Sequence, residues 1–564
     1  MSIPAADVTE KERWLPRSIQ SLRHYTKDKL IADLIAGLTV GLVALPLAMA
    51  FGIASGVTPQ AGIYTAVVAG FLISALGGSR CQIGGPTGAF VVIVAGIIAK
   101  FGLAGLAMVT LMAGVMLIAM GLTGMGAAIK FIPRPVTIGF TNGIAILIAS
   151  TQIKDFLGLK TSANPGEFVE RLKVIFQHLG TIQLPTVALS LVSLAIVLLM
   201  PRFTRRVPGA VVALLGATIA ASLLHLPVET IGSKFGGIPQ GLPRFAIPEF
   251  KPELVGTLLP SAITVALLAA IESLLSAVVA DSMSKDKHNS NVELVAQGIA
   301  NIASPLFGGI PATGAIARTA TNIRSGAQTP VAGMTHALVL LLILLVAAPL
   351  ARFIPLATLS AVLFVVAYNM GEWKEVGVVL KQSKADITVW LATLLLTVFA
   401  DLTLAVQVGM VLAALLYIYR VSQTTTVAVV DGNYIAEGCA HVLQGKEIPD
   451  YVTILRIHGP FLFGATEKLA EVTASLASFG DVVVLRLRNM TALDATGIHA
   501  LESLADRLQA SGRTLLLCGA REQPAKLLQQ AEFQRHVGDA NILPHVSAAL
   551  ERARILHLQK EPSE

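Results

Sequence analysis

Between Leu30 and about Ser422 the chain is one apolar run after another, interrupted by glycines, prolines and short charged loops. Crossing a bilayer takes about 20 apolar residues, so a stretch of this length holds roughly twelve to fourteen spans. Hydrocarbon offers no water to backbone N–H and C=O groups, and helices are the segments that satisfy those groups internally. Charged residues are 14% of the 564, against about 25% in soluble domains. That deficit excludes a soluble single-core enzyme as a description of the whole chain. The three cysteines, Cys81, Cys439 and Cys518, share no ligand spacing and leave one unpaired, which argues against a disulfide scaffold or a metal cluster.

The charge is divided unevenly. Residues 1–422 carry 29 basic against 19 acidic side chains, and residues 423–564 carry 13 against 16. A basic membrane part with a mildly acidic tail, and no basic stripe interleaved with aromatics, points away from nucleic acid. It points instead to basic loops on the cytoplasmic side of a membrane. Residues 1–29 are polar and basic (Lys11, Arg13, Arg17, Arg23, Lys27, Lys29) and lack the pattern of a cleavable signal peptide. They are expected to form a cytoplasmic, partly helical lead-in.

An internal repeat narrows the number of spans. Thr39–Ala44 echoes Thr264–Ala269, Thr87-Gly88-Ala89 echoes Thr313-Gly314-Ala315, and Lys130-Phe131-Ile132-Pro133 echoes Arg352-Phe353-Ile354-Pro355, at separations of 225, 226 and 222 residues. Three matches in order at one offset indicate two homologous halves, about 30–225 and 254–422, within a membrane domain of 30–422. Such a length suits seven spans per half, and an odd number inverts the second half. With a cytoplasmic N-terminus, Lys130/Arg134, Arg202/Arg205/Arg206, Lys285/Lys287 and Lys374/Lys381/Lys384 fall inside. The stretches 154–178 and 229–253 fall outside and carry lysines too.

One segment in each half is wrong for a full span: Gly84–Phe90, followed by a short apolar run to Lys100, and Gly308–Ala315, followed by polar residues to Arg324. Gly-Gly and Pro break a helix, although Pro fits its first turn. Each segment reads as an extended stretch leading into a half-helix that starts in mid-membrane, which is tolerated where it lines a protein cavity. In inverted halves the two half-helix N-termini point at each other, and their free N–H groups and dipoles suit an anion. The plainer alternative is Gly/Pro kinking of two ordinary spans.

Glu272 lies in the apolar run Leu258–Ala280 with no basic residue close in sequence. An ionised carboxylate there needs a partner or a proton. It reads as a coupling group for a proton or Na⁺, or as a structural hydrogen-bond anchor. Arg318, one turn into the second half-helix, either adds positive potential at an anion site or pairs with an acid such as Glu272. Asp33, Asp281 and Asp401 sit near span ends, where capping or interfacial solvation accounts for them. Asn142, Gln297 and Asn301 read as interhelical hydrogen bonds. His178, His225 and His336 are isolated, with no metal-ligand pattern.

After Arg420 the pattern changes. Val452–Ile457, Val482–Leu487 and Thr514–Cys518 read as strands, and Thr466–Ala477, Gly497–Ala510 and Gln523–Ala531 as helices, which makes residues 423–564 a linker and a small α/β domain. It holds no phosphate loop, Cys/His cluster or nucleophile–base pair. Asp494 in Leu493–Gly497 reads as a helix N-cap.

Ala44-Leu45-Pro46-Leu47-Ala48-Met49-Ala50, Pro59–Tyr64, Gly84–Phe90, Ala269-Ala270-Ile271-Glu272-Ser273 and Ala315-Ile316-Ala317-Arg318 together resemble the sulfate permease (SulP) family of anion transporters over about residues 28–556. Within the family the chain looks most similar to the bacterial C4-dicarboxylate transporter. The resemblance implies seven-plus-seven inverted repeats with a gate and a moving core domain, a cytoplasmic STAS tail (sulfate transporters and anti-sigma antagonists), and a homodimer in the bacterial inner membrane. It places the anion beside Leu47 and Phe51 of the first span, Thr87, Gly88, Ala89 and Phe90 of the third, and Ala315, Ile316, Ala317 and Arg318 of the tenth. Glu272 matches the eighth-span coupling carboxylate. Leu47 stands where many animal relatives have a polar Gln, so their anion preferences do not transfer. Thr496 matches the phosphorylatable Ser of anti-sigma antagonists.

The expectation is therefore proton-coupled, elevator-like uptake of a C4-dicarboxylate, with no cofactor. A Na⁺-coupled bicarbonate importer, a proton-coupled sulfate importer and an anion channel are the alternatives. A cytoplasmic protein partner for the tail, and lipid around the membrane part, complete the expected partners.

Overall fold

The computed structural model describes residues 14–23, 25–127, 133–161, 165, 167–203, 208–238, 241–249, 251–400, 402–430, 448–474 and 478–560. Cys439, Asp401, Lys130, Arg205 and Arg206 lie outside the described residues. Two compact units divide the chain, residues 1–411 and 412–564.

The membrane unit is helical. A short α1 (Arg17–Leu22) precedes α2 (Lys27–Ala54), α3 (Pro59–Leu76), the two-residue strand β1 (Gly84–Gly85), α4 (Gly88–Leu122), α5 (Arg134–Leu157), the peripheral α6 (Phe168–Gln177), α7 (Leu184–Phe203) and α8 (Gly209–Leu223). After a small α9 (Ile231–Phe235) come α10 (Val255–Ser284), α11 (Ser290–Leu306), the strand β2 (Thr313–Gly314), α12 (Ile316–Arg324), α13 (Val331–Ala351), α14 (Leu356–Met370), a short α15 (Trp373–Val379), α16 (Lys384–Phe399) and α17 (Leu402–Thr424). Among the described residues eight helices are long and apolar enough to cross a membrane unaided.

Two departures from a single full span have identifiable reasons. α4 is two helices joined at Gly102, whose φ of 69° is open to glycine at little cost. The first of these ends near Lys100, the expected stop of the apolar run. α12 has nine residues, a rise of only about 14 Å against a hydrocarbon core of roughly 30 Å. With α4 divided, seven segments (α2, α3, both parts of α4, α5, α7, α8) are matched by seven (α10–α14, α16, α17). A short strand leading into a half-helix recurs in each half, as β1–α4 and β2–α12.

Two packed groups emerge. α2, α3 and α4 lie against α10–α13, while α5, α7 and α8 lie against α14 and α16. Small residues allow the closest approaches, as expected where helices cannot rely on the hydrophobic effect. A Cβ on Gly114 of α4 would lie 2.8 Å from the Gly298 carbonyl of α11, and Gly409 of α17 abuts Thr393 of α16 and Val136 of α5 in the same manner.

In the second unit α17 runs into β3 (Thr426–Val429), followed by β4 (Val452–Phe461), α18 (Thr466–Val472), β5 (Val482–Leu493), α19 (Ala495–Ala510), β6 (Thr514–Cys518), α20 (Glu522–Gln530), α21 (Gln534–Val537), β7 (Ile542–Leu543) and α22 (Val546–Lys560). The sheet order is β3-β4-β5-β6-β7, with β3 antiparallel and the others parallel. The period of two along β5 explains why both faces are covered. Val483, Leu485 and Leu487 meet Ile498, Leu501, Leu504 and Leu508 of α19, whereas Val482 and Val484 meet Val546, Ala549 and Ala553 of α22. Asp494 is the N-cap of α19, its carboxylate accepting from Gly497 N at 2.7 Å. Lys468 donates to the carbonyls of Ser422 (2.9 Å) and Thr425 (2.8 Å), placing a cation at the C-terminal end of α17.

Candidate anion-binding site

The two irregular stretches meet as a minimal antiparallel pair, Gly84 opposite Gly314 and Gly85 opposite Thr313. Because the strands are antiparallel, the helices that come after them leave in opposite directions, and their N-termini face each other. Both ends are open. Neither Thr87, at the N-cap of α4, nor Ala315, at the N-cap of α12, supplies a side-chain cap. The Thr87 hydroxyl instead donates to Glu272 Oε2 at 2.8 Å. The first N–H groups of both helices are thus available to an anion.

Backbone at this depth must find partners, and each break finds them in polar side chains of neighbouring helices. In the first break, Gly78 and Ser79 N–H donate to the buried Glu293 carboxylate (2.9 and 3.2 Å), Cys81 O accepts from Asn322, and Ile83 N donates to Thr319 Oγ1 at 3.0 Å. In the second, Ile310 N donates to Thr65 Oγ1, Ala312 exchanges two bonds with Asn301 (2.8 and 2.9 Å), and Gly314 N donates to Ser273 Oγ at 3.0 Å. Gln82 Nε2 ties the two together by donating to Ser273 O.

Of the residues expected at the site, the structure brings Phe51, Thr87, Gly88, Arg318 and Glu272 together. A Cβ on Gly88 would come within 2.7 Å of Met370 Sδ, 3.1 Å of Ile148 Cδ1 and 3.4 Å of the Phe51 ring, so the start of α4 lies where α2 meets α5 and α14. Arg318 is buried, donates through Nη2 to Pro86 O, and lies 6.0 Å from the Phe51 ring centre. It has no ion pair with Glu272 among the described residues. Glu272 itself is half-buried. Ala315 is buried, while Ile316 and Ala317 are exposed on α12. Ala89 and Phe90 are buried in the same apolar cluster as Phe51, and Leu47 is half-buried against it.

The other expectations divide. Asn142 accepts from Trp390 Nε1 at 2.9 Å and donates to Gly371 O, bridging helices as expected. Gln297 does not: it donates to Glu293, one turn back on its own helix. Asn301 braces the second break. Asp33 is fully buried and caps the entry to α13, accepting from Gln328 N and Thr329 N. Asp281 accepts from His288. Thr496 is exposed at the second position of α19. Burial pushes the Cys518 thiol up to about 11, which leaves it inert.

Comparison with known proteins agrees with this architecture. The Sulfate permease family matches residues 30–393 and the STAS domain residues 445–549. YvdB of Bacillus subtilis, provisionally named a sulfate transporter, is 43% identical over 92% of this chain and 97% of its own length. The bicarbonate transporter BicA of Picosynechococcus sp. is 32% identical over 92% of this chain and 94% of its own. The solved structure of the murine Slc26a9 anion transporter in the inward-facing state, 19% identical, shares the fold with a TM-score of 0.85 over 96% of this chain and 94% of its own. These relatives are named for sulfate, bicarbonate or anions, which corrects the expected likeness to a C4-dicarboxylate transporter in particular. They are transporters and not enzymes. The chain is a multi-pass anion transporter that belongs to the sulfate permease family.

Proposed function

We propose that this chain is a secondary active importer of a compact oxyanion, sulfate or bicarbonate, bound between the N-termini of α4 and α12 and coupled to a proton at Glu272. The observation that carries the reading is the double duty of Thr87, which leaves the α4 N-terminus uncapped while donating to Glu272. One residue thus touches both the anion's cradle and the acid. An anion at the cradle raises the proton affinity of the carboxylate, and by linkage a proton on Glu272 strengthens anion binding by the same factor. Leu47, Phe51, Thr87–Phe90 and Ala315–Arg318 surround the anion in this reading.

The packed group of α2–α4 and α10–α13 carries the anion past the group of α5, α7, α8, α14, α16 and α17 in an elevator-like movement. The chain works as a homodimer in a bacterial inner membrane, with its N-terminus and STAS domain in the cytoplasm. A phosphate on Thr496 would add charge at the start of α19, where the N-cap already holds Asp494. A second reading replaces the proton with Na⁺, since the Thr87 hydroxyl and Glu272 carboxylate offer two oxygen ligands side by side.

Proteoliposome uptake of labelled sulfate, bicarbonate and succinate, under an imposed proton or Na⁺ gradient, tests the substrate and the coupling. Proton-driven accumulation of one inorganic oxyanion supports the reading, and Na⁺-driven accumulation transfers the coupling role to a metal ion. Downhill flux alone under every gradient ends the proposal and moves the channel reading to first place.

A further inference from the structure

Behind the half-helix pair lies a histidine to which the reading above gives no role. His336 on α13 is fully buried, and among the described residues neither ring nitrogen has a hydrogen-bond partner. Gly333, one turn back on the same helix, is close to the ring but outside hydrogen-bond geometry. Arg318 shares the condition. Its Nη2 donates to Pro86 O, yet Nη1 is buried with no partner.

The two side chains lie against the same piece of backbone. A Cβ on Gly85 would be 2.7 Å from Arg318 Nη1 and 3.5 Å from Ala66 Cα. A Cβ on Gly70, one turn along α3, would be 2.9 Å from Gly84 O and 3.7 Å from His336 Cε1. Guanidinium and imidazole therefore flank β1 and the Ala66–Gly70 face of α3, where glycines keep the space beside the chain free of side chains. Ser74, one turn further on α3 and against Gly333, is a third side chain with a buried polar atom, Oγ, that has no partner among the described residues. A guanidinium offers only protons, and a neutral imidazole offers one lone pair and one N–H. Clusters of this kind are where proteins keep ordered water.

We infer that His336 positions Arg318 for anion binding, accepting through one ordered water from Nη1 while Pro86 O accepts from Nη2. Held on both sides, the guanidinium stays on the β1 backbone and the Phe51 ring and turns away from Glu272, whose carboxylate is left to Thr87. His336 touches neither anion nor proton donor; it acts through Arg318. The inference rests on the anion-site reading, and its test separates the two.

Three measurements on the full chain decide it. With ¹⁵N-histidine labelling, Arg318→Gln is expected to move the ring resonances of His336; unmoved resonances overturn the inference whether or not an anion binds. In calorimetric titration with sulfate and bicarbonate, His336→Phe is expected to weaken binding at least fivefold, and His336→Gln, which restores an acceptor, to stay within twofold of wild type. Uptake by His336→Phe should show a raised KM at unchanged kcat. Wild-type affinity in His336→Phe, or equal loss in Phe and Gln variants of wild-type melting temperature, overturns the inference. If the wild-type chain binds neither anion, the anion-site reading fails by itself and the resonance measurement still judges His336.

Discussion

The two breaks in the membrane unit share a frame and differ in chemistry. Residues 77–87 and 307–315 each leave a helix, run extended, pair as β1 and β2, and enter a helix at an uncapped N-terminus. Each is braced by a threonine hydroxyl and an asparagine amide, Thr319 and Asn322 for the first and Thr65 and Asn301 for the second, but the first adds a carboxylate, Glu293, where the second adds a hydroxyl, Ser273. The helices entered from the two breaks differ more. The first break ends in Thr87, joined to Glu272, and leads into an apolar helix. The second ends in Ala315 and leads into a nine-residue polar helix carrying Arg318. The repeat supplies a symmetric cradle, and the residues that break the symmetry assign the acid to one side and the fixed positive charge to the other.

If the frame is common, removing its braces should hurt both breaks alike. Glu293→Leu strands two backbone N–H groups and the Gln297 amide, and is expected to cost about 3–5 kcal/mol. Asn301→Leu strands both groups of Ala312 and should cost about 2–4 kcal/mol. Thermal unfolding in detergent measures both; a loss confined to one variant would mean that only one break is structurally necessary. The next effect is steric. Gly88→Leu drives a side chain against Met370 and Ile148, with an expected loss of anion affinity of about 100-fold, equivalent to about 2.8 kcal/mol. Wild-type calorimetric affinity in that variant would move the anion elsewhere.

Smaller changes separate the two chemistries. Arg318→Gln is expected to weaken anion binding about tenfold, or about 1.4 kcal/mol, and to leave coupling intact. Thr87→Val should do the reverse, holding affinity while changing the dependence of uptake on the proton gradient. Equal effects of both variants on both readouts would dissolve the distinction. The smallest expected effect lies in the other unit, where Asp494→Ala removes the α19 cap. It should lower stability by about 1 kcal/mol in urea unfolding monitored in the STAS domain.

Much of the frame was legible because Gly-Gly and Pro inside apolar runs have few physical readings. Gly84-Gly85-Pro86 and Gly308–Pro311 could not continue a helix, and their matching positions in a repeat indicated paired half-helices. Glu272 drew notice as a carboxylate without a basic neighbour. The braces were not legible in the same way. Glu293, Ser273, Thr319 and Asn322 are single polar residues in helices, and only the folded chain reveals which backbone group each one serves. Asn301, instead of bridging helices, braces the extended backbone at Ala312, and Gln297 serves its own helix. In the tail, β5 is readable from its short run of β-branched and aliphatic residues, Val482–Leu487, while β3 and β7, with four and two residues, are too short to carry a pattern. The anion was illegible for a physical reason: backbone N–H groups accept carboxylate, bicarbonate and sulfate alike, so sequence likeness to one relative was a poor guide.

The claim that one acid couples the anion's cradle to a cation is tested most directly by gradient-driven accumulation in proteoliposomes containing wild type or Glu272→Gln. The wild-type chain is expected to concentrate sulfate or bicarbonate above equilibrium under an inward proton gradient. The variant is expected to bind the anion within threefold of wild type yet only equilibrate it. Accumulation by Glu272→Gln to the wild-type level would contradict the account.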